Sequence, residues 1–199
     1  MVLEQIIHLF NEIGMLAETP RSGFAFLGSG KQSVAEHSYR TALISYALAE
    51  FSKEKIDRAK ILMLSLVHDL PEARTSDLNY VNKRYVRANE DKAVDELSRY
   101  GLVGRQLAIY IQEYRAKKSI EAVLVHDADQ LELLLCLKKE YDTGNPRALV
   151  WFDSVSQRLE TKAARQLAVQ IRSTPFDEWW LEKKSGNKKP NKKDIYRRI

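Results

Sequence analysis

A chain of 199 residues, 44% hydrophobic and 30% charged, can bury a sizeable core and reads as one domain of ordinary globular composition. No apolar run approaches the roughly 20 residues that cross a bilayer, and a lone cysteine, Cys136, excludes an intrachain disulfide and suits a reducing cytoplasm. The net charge of +5 is uneven: Lys183 to Ile199 holds eight Lys/Arg against one Asp, which leaves the first 182 residues at −2. Residues 1–182 are therefore expected to form the domain, and 183–199 a basic tail that either stays solvated or touches nucleic acid without sequence preference.

In chain order, Val2, Ile6, Leu9, Phe10, Ile13 and Leu16 recur at helical spacing, so the acidic N-terminus, without a basic leader, predicts a helix of the fold rather than a secretory signal. Residues 19–33, with Pro20 and glycines at 23, 28 and 30, predict a loop. Ser33-Val-Ala-Glu36 has the form of a capping box, and a helix is expected over 34–51. The next, from Lys55 to a stop at Pro71, contains Ile61-Leu-Met-Leu-Ser-Leu-Val67, apolar nearly all round and so central. After a polar stretch at 73–79, the spacing predicts helices over 81–100, 103–117 and 120–141. Gly144-Asn-Pro146 breaks the last of these, and a long helix follows over 147–172. Pro175 with Trp179-Trp180 predicts a segment tucked back onto the body, because exposed tryptophan pairs are costly. Without period-2 runs or repeats, the class is all-α.

Gly28-Ser-Gly-Lys31 invites comparison with a phosphate-cradling P-loop, which needs G-x-x-x-x-G-K-[ST] between a strand and a helix. Here Gln32 follows Lys31, Ala25 stands five residues before Gly30, and no strand precedes, so the motif fails. Lys31 is kept as a candidate contact for an anionic substrate.

Only four histidines exist, at 8, 37, 68 and 126. His37 shares a helix face with Thr41, Ile44 and Leu48, and His68 with Ser65, Leu64 and Ile61, so both are expected to face the interior. A histidine so placed is more often a hydrogen-bonded core residue than a ligand. His68, however, is followed by Asp69 at the end of the most apolar helix, where a buried carboxylate is costly unless a cation compensates it. A third helix carries His126-Asp-Ala-Asp-Gln-Leu-Glu132. Imidazole nitrogens mixed with carboxylate oxygens suit a borderline divalent metal, which makes hydroxide near neutral pH and neutralises phosphoryl oxygens. The zincin and zinc-finger patterns are missing. Periodicity alone leaves Asp127 and Asp129 equally eligible.

The order His37, His68-Asp69, Asp129 resembles the HD-domain metal-dependent phosphohydrolase superfamily. More narrowly, AEHSYR, LVHDLPEA, Asp77 and ADQLELL together resemble its 5'-deoxynucleotidase branch, over roughly residues 1–175. The resemblance implies an HD-domain helical bundle with a single buried metal site, commonly paired as a homodimer. It implies one divalent ion (Mn, Co, Ni, Zn, Fe or Mg) on His37, His68, Asp69 and Asp129, the family's A-D-x-L pattern selecting Asp129 over Asp127. It makes Glu72 and Asp77 the catalytic carboxylates and Arg21 the substrate-side arginine, which suits a phosphate because guanidinium donates two parallel hydrogen bonds. Where the family has an aromatic residue, usually tryptophan, close after that arginine, this chain reads Arg21-Ser-Gly-Phe24, and Phe24 is taken as its replacement. His126 is read as a core histidine or a residue behind the ligands, and Asp127 as a cap or the partner of a basic group. Residues 28–32 then form a mobile entrance loop.

The expected activity is metal-dependent hydrolysis of (deoxy)nucleoside 5'-monophosphates to nucleoside and phosphate in the cytoplasm, with no membrane partner. The rivals are another HD phosphohydrolase chemistry, on a nucleoside triphosphate, alarmone or cyclic phosphodiester, and a nucleic-acid binder working through the tail.

Overall fold

The computed structural model describes residues 2–181; the basic tail at 183–199 and the expected domain boundary before it lie outside them. The helices are α1 (Val2–Glu18), α2 (Gly23–Leu27), α3 (Val34–Leu48), α4 (Arg58–Val67), α5 (Glu72–Thr75), α6 (Glu90–Ser98), α7 (Gly101–Ala116), α8 (Ile120–Asp142), α9 (Arg147–Ser156) and α10 (Lys162–Ser173). Among the described residues there is no strand, only one antiparallel bridge between Pro20 and Ser33. None of these helices is long and apolar enough to cross a membrane.

The fold is organised around α8, whose 23 residues extend about 35 Å. Side chains on several of its faces are buried, and α3, α4, α7, α9 and α10 all pack on it. Ile61 and Leu64 of α4 meet Val125, Leu131 and Leu134 of α8 in one core, where full burial of each side chain contributes about 1.5–3 kcal/mol. A second core joins Leu9 and Leu16 of α1 to Val67, Leu70, Val94, Leu97 and Ile111. α3 and α4 therefore cross α8 with apolar packing on both sides.

Local chemistry sets where these helices begin. Ser33 Oγ accepts the Glu36 N–H at 3.2 Å while Glu36 Oε2 accepts the Ser33 N–H at 2.7 Å, completing the expected capping box and starting α3 at Val34. Asp57, Asn89, Ser119 and Thr161 cap α4, α6, α8 and α10, each side chain accepting a backbone N–H of the first turn.

Four expected boundaries and one expected packing are corrected. The 19–33 loop contains α2, a single turn that Phe24 and Leu27 anchor by burial and that Gly28 ends at φ 84°; burial outweighs its poor helix propensity. α4 starts at Arg58 and stops at Val67, before Pro71, which instead precedes α5. The helix expected over 81–100 is confined to α6, because Asn79 Oδ1 accepts the N–H groups of Val81 and Asn82, at 2.9 and 3.1 Å, and turns the chain there. The helix expected over 147–172 is two helices. Their break falls where Asp127 of α8 accepts the N–H groups of Glu160 and Thr161, both at 2.8 Å. Finally, Trp179 and Trp180 are 85% and 57% exposed, not tucked in, while the Phe176 N–H just before them bonds Asp142 at 2.9 Å.

Burial opposes the charge on Asp127, yet His126 and the N–H groups of Thr161 and Glu160 hold its carboxyl below the usual range. A depressed folded pKa adds stability that is present above the unfolded pKa of about 3.9 and lost as pH falls through the folded value. Asp127→Asn should therefore cost about 1.5–3 kcal/mol at pH 7. In denaturant melts its difference from the parent should shrink as pH is lowered from 7 to 3.

Candidate metal centre

His37 sits in the first turn of α3, His68 caps the end of α4, Asp69 follows it, and Asp129 lies midway along α8. Ligand atoms of His37, His68 and Asp129 all lie within 4.8 Å of one another. Asp129 Oδ1 is 3.1 Å from His37 Nε2. Asp69 Oδ2 is 3.3 Å from His68 Nε2 and 3.6 Å from His37 Nε2. Donors on adjacent corners of an octahedron with bonds of about 2.1 Å stand about 3.0 Å apart, so these separations are near those of a shared coordination shell.

The imidazoles are oriented for such a role. His37 Nδ1 lies 2.7 Å from Glu132 Oε2, and His68 Nδ1 lies 2.8 Å from the Ser65 carbonyl. A carbonyl oxygen only accepts, so His68 carries a proton on Nδ1 and turns Nε2 inward. Both Nε2 atoms are buried and unpartnered by the geometry of a full hydrogen bond, although Asp129 Oδ1 stands 3.1 Å from that of His37. Tyr114 packs edge-on against His68, ring centroids 5.0 Å apart.

Electrostatics favour positive charge here. Burial and Arg21 oppose protonation of His37, but Asp129 and Glu132 prevail and raise it to about 9. Burial likewise opposes charge on Asp129, yet His37, His68 and Arg21 hold it well below the carboxylate range. Two inward nitrogens without partners, facing two carboxylates, fit a divalent cation in place of a proton. His37, His68, Asp69 and Asp129 could hold it.

Arg21 Nη1 reaches Asp69 Oδ2 at 3.3 Å, and although burial works against its charge, Asp69 and Asp129 reinforce it. Its backbone N–H donates to the Gln32 carbonyl at 2.8 Å. The next residue, Ser22, donates its N–H to Asp77 Oδ2 at 2.6 Å and its hydroxyl to the Asp77 carbonyl at 2.7 Å. Asp77 thus clamps the arginine's loop. Ser76 before it holds φ 60°, ψ 160°, a strained conformation that such clamping maintains. Glu72 Oε2 is buried and unpartnered; burial first, then Asp69 and Asp77, push this carboxyl up to about 9.

Arg21 and Asp77 also line a cavity of about 560 Å³, closed on other sides by Phe24, Asn79, Trp151 and Val155. Lys31 is exposed and outside this lining, while the side chain of its neighbour Gln32 turns inward onto Glu132. Gly30, at φ 81°, has a steric task, since a Cβ there would meet Phe24 and Glu140 at 2.8 and 2.9 Å. His126 Nδ1 lies 3.6 Å from Glu160, outside the cluster. Sequence reasoning assigned no role to Glu132, Gln32, Arg40 or Trp151. Glu132 carried the one usable signal, a carboxylate one turn after Asp129 on a helix apolar on several faces.

An all-helical frame bringing imidazoles and carboxylates together beside an arginine-lined cavity is that of a metal-dependent phosphohydrolase. Residues 13–171 match the HD domain family, and the chain belongs to it as an HD-domain phosphohydrolase. It is 30% identical over 188 residues to a 5'-deoxynucleotidase, HDDC2, of Dictyostelium discoideum, spanning 86% of this chain and 98% of that one. It is 27% identical over 150 residues to the 5'-deoxynucleotidase YfbR of Escherichia coli, 68% of this chain and 74% of the relative. A solved structure of a conserved hypothetical protein from Pyrococcus furiosus superposes with a TM-score of 0.70 at 27% identity, over 84% of this chain and 99% of that one.

A ligand that binds only the folded state stabilises it by about 2.7 kcal/mol at 100 times its Kd. Adding Mn²⁺, Co²⁺ or Zn²⁺ to metal-stripped protein should raise Tm accordingly, and Asp129→Asn should abolish the rise in a thermal melt.

Proposed function

We propose that this phosphohydrolase cleaves nucleoside 5'-monophosphates, the deoxy form preferred, to nucleoside and phosphate. The reading is carried by one observation: Arg21 touches Asp69 of the metal cluster at 3.3 Å and at the same time lines the 560 Å³ cavity. A phosphate at the cluster would therefore have room beside it for a nucleoside. The names of the relatives support the substrate class.

His37, His68, Asp69 and Asp129 would hold one divalent ion, their mixed nitrogen and oxygen set suiting a borderline metal. When bound, it supplies Lewis-acid polarisation of the phosphoryl oxygens and lowers the pKa of water. Arg21 offers paired N–H donors to the phosphate and holds charge as it develops toward the leaving oxygen. A water oxygen bonds to phosphorus as the bond from phosphorus to the 5' oxygen breaks. Glu72, protonated before the reaction, gives its proton to that oxygen, and Asp77 takes the proton released by the water. Phe24 and Trp151 line the cavity with aromatic surface for the nucleoside.

The deciding experiment is metal-stripped protein reloaded one ion at a time and assayed for free phosphate. Its substrates are all ribo- and deoxyribonucleoside monophosphates, with a triphosphate, an alarmone and a cyclic phosphodiester alongside. Release from the monophosphates, greatest for deoxy forms, is expected; turnover confined to another class would end the proposal. Arg21→Ala should lower kcat/KM by about 10²–10³-fold. Glu72→Gln should lower kcat by about 10²–10⁴-fold and remove the alkaline limb of the pH profile, since the amide has no proton to lose.

A further inference from the structure

Glu132 lies one turn beyond Asp129 on α8 and is fully buried. A buried carboxylate is tolerated only when its lone pairs are satisfied, and here four donors converge on it. His37 Nδ1 lies 2.7 Å from Oε2. Gln32 Nε2 donates to Oε1 at 2.8 Å, Cys136 Sγ donates to the same oxygen at 3.2 Å, and Arg40 Nη1 lies 2.7 Å from it. No step of the hydrolysis uses this group, so its cost of burial needs another reason.

We propose that Glu132 is the positioning residue of the metal centre, and that its two oxygens set two different parts of the site. Oε2 takes the Nδ1–H of His37, which fixes the ring and leaves Nε2 for the cation. A carboxylate behind an imidazole also raises the ring's basicity as a ligand. Oε1 holds Gln32, whose carbonyl in turn accepts the Arg21 N–H. One buried side chain thus registers a metal ligand against the arginine expected to meet phosphate. An amide cannot replace it, because a single accepting oxygen would leave an NH₂ group turned toward donors.

The inference rests on the metal-centre reading and is independent of which phosphoester is cleaved. Long-range ¹H–¹⁵N NMR of the parent chain loaded with Zn²⁺ should find the His37 proton on Nδ1 and the metal on Nε2; the reverse arrangement would overturn the proposal without any variant. Glu132→Gln should weaken Zn²⁺ binding by about 10–100-fold, measured by competition with a chelating dye, in protein whose metal-free circular dichroism matches the parent. Parent-like affinity in that variant would also overturn it. Gln32→Ala, which disturbs only the Oε1 side, should keep Zn²⁺ affinity within about threefold while raising KM by about tenfold; a Zn²⁺ loss equal to that of Glu132→Gln would sink the division of labour. If no monophosphate is turned over, the NMR and Zn²⁺ measurements still decide the role of Glu132.

Discussion

Asp69 and Asp129 stand against two buried imidazoles where α3, α4 and α8 meet, with Glu132 behind them, and carboxylates crowded in this way repel one another unless positive charge is supplied. Arg21 and Arg40 supply part of it, on Asp69 and Glu132 respectively. Asp77 adds a further carboxylate nearby; Asp129 and Glu132 drive His37 up, and burial first, then Asp69 and Asp77, drive Glu72 up. A divalent ion held by His37, His68, Asp69 and Asp129 would offset this crowding of negative charge. The apolar cores on either side keep the three helices from spreading to relieve the repulsion by admitting water.

The same charge organises the periphery. Residues 20–22 have little apolar surface to anchor them, yet the segment is held at three points. The Arg21 side chain reaches Asp69, its N–H bonds the Gln32 carbonyl, and Ser22 bonds Asp77. Two of these partners lie in loops that would otherwise be free to drift. The arginine is therefore carried on a clamp between the start of α3 and the turn after α5, and positioning of this kind is most of what phosphoryl transfer asks of a protein.

Much of the frame was legible because it depends on local signals. The Ser33–Glu36 box sets the start of α3, and through it the register of His37. The apolar run 61–67 marks the buried helix that ends in His68. What escaped depends on contacts distant in sequence. The break between α9 and α10 is made by Asp127, more than 30 residues upstream, and α2 exists because Phe24 and Leu27 find the core. Resemblance to a family supplied Asp129, Glu72 and Asp77; periodicity did not. Trp151 entered the cavity wall from an amphipathic helix whose pattern gives no hint of a ligand, and Lys31, the more eye-catching residue, stayed in solvent.

Asp127 and Asp129 show why pattern alone could not choose. They stand two residues apart on a helix apolar on several faces, and both carboxyls are held below the usual range. The difference lies in what each faces. Asp127 meets two backbone N–H groups, donors that satisfy it permanently and make it a structural cap. Asp129 has one oxygen bonded by Gln130 at 2.7 Å, while the other faces the unpartnered Nε2 of His37. A carboxylate whose two oxygens are both turned onto fixed backbone donors is not aimed at an ion. One held on a single side, with a partnerless nitrogen opposite, is arranged for an ion to come between, and that distinction belongs to the tertiary structure rather than to the residue's place in the chain.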